Sequence, residues 1–223
     1  MKAIIFDLDG TLLDTLEDIA ASCNVVLKRR GWAAHPVDDY RRMVGNGFLT
    51  LVRRAMPMYV PLDLELVDEV VAEARNEYAE HMLDRTKPYA GVREALLELA
   101  GREIPLSVLS NKPDEQSRKL IGHFFPDIPF VCVQGALPDV PLKPDPASLL
   151  RILENMQAHK CRSCYVGDSN VDMITARNAG IMGIGVAWGF RGSGELQKCG
   201  ADRIIASPRE LTRLNPEFLH LAG

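Results

Sequence analysis

Short apolar segments alternate with amphipathic stretches through most of the chain after position 87. Largely apolar runs, which predict strands, lie at 3–7, 106–110, 130–133, 164–167, 183–187 and 203–206. Helical patterns lie between them at 91–100, 114–124, 146–156 and 171–179, with shorter ones near Gly194 and Arg209. Strands that alternate with helices predict an α/β fold, in which helices cover a mainly parallel sheet.

Residues 16–86 break this alternation. Apolar positions follow a helical period from position 16 to position 27, and Gly31 marks the end of that helix. A second helical pattern begins at Leu66 and Val67, and no convincing strand pattern occurs in this stretch. We therefore expect a helical insertion after the first strand.

The composition is that of a globular protein with a sizeable core. The 223 residues are 47% hydrophobic and 25% charged, and the net charge of -4 comes without a concentrated basic run that would favour nucleic acid. No apolar stretch approaches the roughly 20 residues of a membrane span, and the N-terminus does not match a secretory signal. The five scattered cysteines argue against a disulfide framework. We expect a cytoplasmic protein with no nucleic-acid or membrane partner, and its oligomeric state is left open.

The first predicted strand ends in two acidic residues, within the stretch IIFDLDGTLLDT at 4–15. Side chains of an extended chain alternate, so Asp7 and Asp9 leave on the same side, and Gly10 then allows a sharp turn. Ligands of open α/β sheets bind beyond the carboxyl ends of the strands. Two acids held together there require a cation or a shared proton, although turn and helix-capping aspartates are also common after strands.

Three more groups of polar residues follow predicted strands. VLSNK places the Ser110 hydroxyl and the Asn111 backbone N–H where they can bind a phosphate oxygen, and LKPDP places Lys143 before a proline turn. In YVGDSNVD, Asp168 and Asp172 lie one helical turn apart, so both can face one place. Each feature alone is also explained as a helix cap or a solvated lysine. Their combination predicts a site for phosphoryl transfer.

The four motifs resemble those of the haloacid dehalogenase-like superfamily of phosphohydrolases, at residues 7–15, 110–112, 143–146 and 167–172. The chain is further similar to phosphoglycolate phosphatase-type members in VGNGFLTLVRRAM, PYAGV, SNKP, KPDPASLL, VGDSNVDMITARNAG and GVAWGF. Two positions differ from the pattern of these members: Ala90 stands where proline is usual, and Ser110 stands where threonine is frequent. The resemblance implies a Rossmann-like core of residues 1–15 and 87–223, with a small helical cap of residues 16–86 inserted between the first two motifs.

The resemblance also implies the chemistry of the acidic residues. Asp7 would be the nucleophile that forms an aspartyl-phosphate. Asp9 would protonate the leaving alcohol and then act as the base for the water that hydrolyses the phospho-enzyme. Mg²⁺ would be held by the Asp7 carboxylate, the Asp9 main-chain carbonyl and Asp168. Asp172 would orient Lys143 or a metal-bound water.

The phosphate itself would be held by Ser110, Lys143 and backbone N–H groups near Leu8 and Asn111. The activity we expect is Mg²⁺-dependent release of phosphate from a small phosphorylated metabolite, with 2-phosphoglycolate as the first candidate. Pyrophosphatases, nucleotidases, and sugar-phosphate phosphatases or mutases share this core and stay open as alternatives.

Other classes of protein fit the pattern less well. A receiver-type signalling module also accepts phosphate on an aspartate, but it has no acid two residues onward and needs no helical insertion. A dehalogenase would share the fold and the nucleophile, but it has no use for Asp9 as an acid or for a magnesium site. A non-catalytic scaffold is a third alternative. The presence of a suitable residue at every catalytic position argues against it.

The inserted cap is expected to choose the leaving group, because the core contacts only the phosphoryl group. VGNGF places Gly45, Asn46 and Gly47 either in a loop that approaches the core closely or in a plain turn between helices. A guanidinium is a good partner for a small carboxylate. Four arginines surround this stretch, and the sequence singles out none of them: Arg41, Arg42, Arg53 and Arg54.

Overall fold

The computed structural model describes residues 3–60 and 63–214. Its strands are β1 (Ala3–Phe6), β2 (Leu13–Asp14), β3 (Lys87–Pro88), β4 (Leu106–Pro113), β5 (Phe130–Ala136), β6 (Ser163–Gly167), β7 (Met182–Val186) and β8 (Arg203–Ile205). Its α-helices are α1 (Leu16–Arg29), α2 (Tyr40–Met43), α3 (Phe48–Ala55), α4 (Leu64–His81), α5 (Val92–Gly101), α6 (Asp114–Phe124), α7 (Ala147–Asn155), α8 (Asn170–Ala179) and α9 (Ser193–Lys198).

Six strands form one parallel sheet in the order β5-β4-β1-β6-β7-β8. The central strand β1 is buried along its whole length. Ile4 and Phe6 pack into one apolar cluster, and Ala3 and Ile5 pack into a second one, because successive side chains point to opposite faces. The α/β class and the six predicted strands of the sheet are confirmed.

Helices cover both faces of this sheet. Buried side chains of α5 and α6 join the cluster of Ile4 and Phe6, whereas those of α7 and α8 join the cluster of Ala3 and Ile5. The predicted helical segments at 91–100, 114–124, 146–156 and 171–179 agree with these four helices to within one residue at each end. The fold therefore has three layers, helices, sheet and helices, which bury both apolar faces of the parallel sheet.

Strands β4 and β5 extend further than their apolar runs indicated. The apolar runs predict strand ends at Ser110 and Val133, but the strands continue to Pro113 and Ala136. Their register shifts near the end, between Leu109 and Pro113. The prediction was wrong here because backbone pairing continues the ladder after the apolar side chains have stopped. Asn111 and Lys112 therefore lie on β4 and not beyond its end.

Helices α1 to α4 lie between β2 and β3, and both α1 and α3 pack against α4. The helical period read from position 16 to position 27 belongs to α1, and Gly31 follows this helix with a φ of 73°. The short helices α2 and α3 were not resolved by the pattern as separate elements. No helix within 3–60 and 63–214 has the length and apolar character needed to cross a membrane. The division into a core of 1–15 and 87–223 and a cap of 16–86 stays a prediction.

A short antiparallel ribbon joins the two ends of this helical stretch. Its strands β2 and β3 pair Leu13 with Pro88 and Asp14 with Lys87. The chain thus enters α1 and returns to the sheet at one point, which keeps the helices close to the end of β1. Strands of two residues have no readable period, so the sequence analysis did not predict them.

Candidate active site

A cleft lies at the carboxyl ends of β1, β4 and β6, facing the loop between α2 and α3. From the sheet side it is lined by the predicted residues Asp7, Asp9, Ser110, Asn111, Lys143 and Asp168. From the helical side, Gly45 and Gly47 face the same space. Two of the residues assigned to the site from the sequence do not line it: Asp172 is fully buried behind it, and the Asn46 side chain accepts a hydrogen bond from Arg54.

Three carboxylates gather at the inner end of this cleft. Oxygens of Asp7, Asp168 and Asp172 all lie within 4.8 Å of one another. Burial, together with the nearby charge of Asp172, raises the pKa of Asp7 to about 7. The same causes raise the pKa of Asp168 well above its usual range. Lys143 joins the group, with its Nζ 2.9 Å from Asp7 Oδ1 and 2.7 Å from Asp172 Oδ1.

The charges of this group fit a divalent cation. Three carboxylates face one lysine, and the buried Asp7 Oδ1 accepts no hydrogen bond of normal geometry within the described residues, although Lys143 lies beside it. Asp172 is fully engaged, because Lys143 Nζ donates to one of its oxygens and both the backbone N–H and the hydroxyl of Ser169 donate to the other. Asp7 and Asp168 therefore remain available, and carboxylate oxygens are the ligands that Mg²⁺ prefers.

Two glycines make room for Asp168. A Cβ at Gly10 would lie 2.3 Å from Asp168 Oδ2, and a Cβ at Gly189 would lie 2.3 Å from Asp168 Cβ. Gly10 also adopts a φ of 80°, which favours glycine. The backbone N–H of Phe190 donates to Asp168 Oδ2 at 2.6 Å. The segment after β7 thus holds Asp168 against the turn that follows β1.

Asp9 is held by two residues that the sequence analysis did not assign a role. The Thr15 hydroxyl donates to Asp9 Oδ1 at 2.7 Å, and Lys112 Nζ lies 3.1 Å from Asp9 Oδ2. Lys112 is buried and also donates to the Tyr78 hydroxyl in α4 at 3.0 Å. The sequence held a signal that could have identified Lys112 as a site residue. It directly follows Ser110 and Asn111, the two residues predicted to bind phosphate.

The Asn111 side chain ties three segments together. Its Nδ2 donates to the Gly45 carbonyl at 3.0 Å and to the Lys143 carbonyl at 2.9 Å, while its Oδ1 accepts from the Lys143 backbone N–H at 2.8 Å. A Cβ at Gly47 would lie 3.0 Å from a methyl carbon of Leu142. The loop with Gly45 and Gly47 therefore lies against the core, beside the predicted phosphate site.

None of the four arginines considered from the sequence is among the cleft-lining residues of the described chain. Arg54 instead supports the loop from outside, where its guanidinium donates to the carbonyls of Arg42 and Met43. Arg191, which the sequence analysis did not single out, does line the cleft. Its Nη2 donates to the Val44 carbonyl at 2.9 Å and to the Arg42 carbonyl at 3.2 Å. Its place after the motif GVAWGF was the signal that could have drawn attention to it.

Comparison with known proteins gives consistent matches. A family model described as haloacid dehalogenase-like hydrolase matches residues 4–186. Phosphoglycolate phosphatase of Vibrio cholerae serotype O1 is 34% identical over 202 residues, which cover 85% of this chain and 86% of that protein. Phosphoglycolate phosphatase of Caulobacter vibrioides is 33% identical, and the aligned region covers 92% of this chain and 86% of that protein. A solved structure of a predicted phosphoglycolate phosphatase from Haemophilus somnus 129PT has a TM-score of 0.87 and 25% identity, over 96% of this chain and 97% of that chain.

Proposed function

The chain belongs to the haloacid dehalogenase-like hydrolase family and is a phosphoric monoester hydrolase, and we propose that it hydrolyses 2-phosphoglycolate with Mg²⁺ through an aspartyl-phosphate. The family predicted from the four motifs is confirmed by the match over residues 4–186. The observation that carries the proposal is the gathering of Asp7 and Asp168 in one cleft with Ser110 and Lys143. The names of the relatives support the choice of substrate.

Asp7 is the proposed nucleophile. Its backbone N–H donates to the Val166 carbonyl at 2.8 Å, so the sheet fixes its backbone while its side chain faces the cleft. A carboxylate oxygen attacks phosphorus, the bond from phosphorus to the ester oxygen breaks, and the phosphoryl group is left on Asp7. This covalent route replaces one difficult displacement with two easier ones.

Asp9 is the proposed acid and base. In the first step the protonated form of Asp9 gives its proton to the departing alkoxide, and in the second the resulting carboxylate takes a proton from the water that attacks the aspartyl-phosphate, which restores the acid. Water attack releases inorganic phosphate and restores the Asp7 carboxylate. The hydrogen bond from Thr15 and the ion pair with Lys112 hold the Asp9 carboxylate in one orientation at the cleft wall. A proton donor with a fixed position is what both steps require.

The transferred phosphoryl group is held by Ser110, by Lys143 and by backbone N–H groups near Leu8 and Asn111. Lys143 Nζ lies between Asp7 and Asp172, so its charge is fixed beside the proposed nucleophile. Mg²⁺, bound by the Asp7 carboxylate, the Asp9 main-chain carbonyl and Asp168, would supply the positive charge that lets a phosphate dianion approach these carboxylates. Asp172 acts by orienting Lys143.

The proposal assigns choice of the leaving group to the cap of residues 16–86 and to the core residues that meet it. It also places the protein in the cytoplasm. All five cysteines are free thiols, which suits a reducing compartment.

Substitution of Asp7 tests the reaction directly. Wild-type protein should release phosphate from 2-phosphoglycolate in the presence of Mg²⁺, and chelation of Mg²⁺ should stop the release. Asp7→Asn keeps the size of the side chain but removes the nucleophilic oxygen pair, so kcat should fall by at least about 10³-fold. Phosphate release should be assayed alongside pyrophosphate, nucleotides and sugar phosphates.

Asp14→Asn is the matched control, since Asp14 belongs to the same motif but does not line the cleft. It should retain most of the activity. Both variants should keep the circular dichroism spectrum of the wild type. An Asp7→Asn variant that still turns over at more than a few per cent of the wild-type rate would remove Asp7 as the nucleophile.

A further inference from the structure

We propose that Arg191 binds a carboxylate on the leaving group, so that the enzyme selects short phosphomonoesters whose far end is anionic. The inference rests on the proposed phosphatase function and narrows its substrate class. Arg191, a core residue outside the four motifs, thereby binds the part of the substrate that is not transferred.

The first support is the distribution of charge in the cleft. Among the described residues that line it, the cations are Lys112, Lys143 and Arg191. Lys112 is paired with Asp9, and Lys143 is paired with Asp7 and with Asp172 behind the cleft. The two lysines therefore serve the reacting end of the substrate. Arg191 is paired instead with Glu195, which is not among the residues that line the cleft.

The second support is the set of hydrogen bonds that Arg191 makes. A guanidinium has five N–H donors, and within the described residues the hydrogen bonds of Arg191 all come from Nη2, to the carbonyls of Val44 and Arg42. Its Nη1 forms an ion pair with Glu195 Oε2 at 3.8 Å, a distance that is too long for a hydrogen bond. The side chain is only 12% exposed, so a carboxylate that met Nη1 and Nε would be bound in a poorly hydrated place.

The third support is the position of Arg191 relative to both ends of the cleft. The preceding residue, Phe190, donates its backbone N–H to Asp168, so the segment is anchored at the phosphate end. The Arg191 side chain then reaches the cap loop, where a Cβ on Gly45 would lie 3.9 Å from its Nη2. Arg191 thus bridges the phosphate site and the cap.

The fourth support is the chemistry of the remaining wall. The helical side of the cleft is otherwise apolar, with Ile19, Val44, Phe48 and Leu51 facing it. A hydroxyl-rich sugar or a nucleoside would find few side-chain partners on this wall. A second anionic group would be repelled by the acidic end and attracted by Arg191. A leaving group of a few atoms that ends in a carboxylate matches this arrangement.

The test compares two substrates of similar size on Arg191 variants. 2-Phosphoglycolate carries the carboxylate, and 2-hydroxyethyl phosphate has a neutral hydroxymethyl group in its place. Arg191→Met should lower kcat/KM for 2-phosphoglycolate by about 10²-fold, mainly through KM, and change that for 2-hydroxyethyl phosphate by less than about 3-fold. Arg191→Lys, which keeps the charge but loses the planar fork, should give an intermediate loss for 2-phosphoglycolate alone.

Arg54→Met is the matched control, because Arg54 donates to the same Arg42 carbonyl but does not line the cleft. It should lower activity on both substrates equally, if at all. Equal losses on both substrates in Arg191→Met and in Arg191→Lys would show that Arg191 only clamps the cap, which overturns the inference and leaves the phosphatase function standing. Wild-type protein that shows no preference for 2-phosphoglycolate over 2-hydroxyethyl phosphate would overturn it as well. Absence of Mg²⁺-dependent phosphate release from every phosphomonoester would instead overturn the proposed function, and this inference with it.

Discussion

At the scale of single residues, the site depends on two buried lysines that pair with carboxylates. Burial by itself lowers the pKa of Lys112, but the charge of Asp9 and the contact with Tyr78 raise it above its usual range. The pKa of Lys143 is raised in the same way by Asp172 and Asp7. Both lysines therefore stay charged inside the protein, because removing either charge would leave a buried carboxylate without its ion-pair partner.

Lys112→Met tests this pairing at Asp9. The variant keeps an unbranched side chain but leaves the Asp9 carboxylate with only the Thr15 hydroxyl as a partner, so the free energy of unfolding should fall by about 3 kcal/mol. We also expect kcat to fall about tenfold, since the Asp9 carboxylate loses one of its two anchors. Urea unfolding and steady-state assays provide the two measurements.

Tyr78→Phe is the control for Lys112→Met, because it removes only the hydroxyl that Lys112 contacts. Its cost should be near 1 kcal/mol, the usual value of one hydrogen bond. If Lys112→Met is no more destabilising than Tyr78→Phe, the ion pair with Asp9 is not a stabilising element.

At the scale of elements, the junction between the sheet and the helical stretch is fixed by one side chain in α1. Asp18 is buried, and it accepts hydrogen bonds from the backbone N–H groups of Arg85 and Thr86 and from the Thr86 hydroxyl. These bonds hold the returning chain next to the ribbon of β2 and β3. The carboxylate thus accepts hydrogen bonds from backbone N–H groups that lie outside the sheet and are not paired by it.

Asp18→Asn tests the junction. The amide has one acceptor oxygen where the carboxylate had two, and its NH₂ group would face N–H donors, so the free energy of unfolding should fall by about 2 kcal/mol. Glu17→Gln, a change on the same helix at an exposed residue, should cost less than about 0.5 kcal/mol. Thermal and urea unfolding of both variants give the comparison, and equal stabilities would contradict the role given to Asp18.

At the scale of the whole molecule, the cleft is a joint product of sheet and helices. Asn111 donates to the Gly45 carbonyl, Arg191 donates to the Val44 carbonyl, and Lys112 donates to the Tyr78 hydroxyl. Each of these bonds joins a residue at the end of a strand to the helical stretch. In the described conformation the loop of Gly45 and Gly47 therefore lies against the proposed phosphate site.

Binding of Mg²⁺ should stabilise the whole protein. Mg²⁺ at 100 times its Kd contributes about 2.7 kcal/mol, which corresponds to a rise in Tm of about 5–10 °C for a chain of this size. Asp168→Asn should abolish this rise. Without Mg²⁺ it should be at least as stable as the wild type, because burial beside Asp172 and Asp7 raises the pKa of Asp168 and so already disfavours a charged side chain at this position. Calorimetry with Mg²⁺ and with EDTA checks both statements, and a normal Mg²⁺ response in Asp168→Asn would place the metal elsewhere.

Much of the fold was readable from local patterns. The apolar run that became β1 and the helical periods of α5 to α8 depend on neighbouring residues only, so their positions agree with the structure closely. The polar ends of β4 and β5 were missed because their pairing depends on the adjacent strand and not on their own side chains. The helices α2, of four residues, and α3, of eight, were missed because one or two helical turns have too little periodicity to read.

The sequence alone determined the parallel sheet, the helical insertion, and the acidic and other polar residues that line the cleft near the strand ends. These follow from side-chain period and from residue types that are adjacent in the chain. Tertiary structure alone decided which cations pair with which acids, and that Arg191 lines the cleft. Arg191 meets the Val44 carbonyl across 147 positions of sequence, and such a contact depends on how the strands are ordered and how the helices pack on them. No local pattern contains that information.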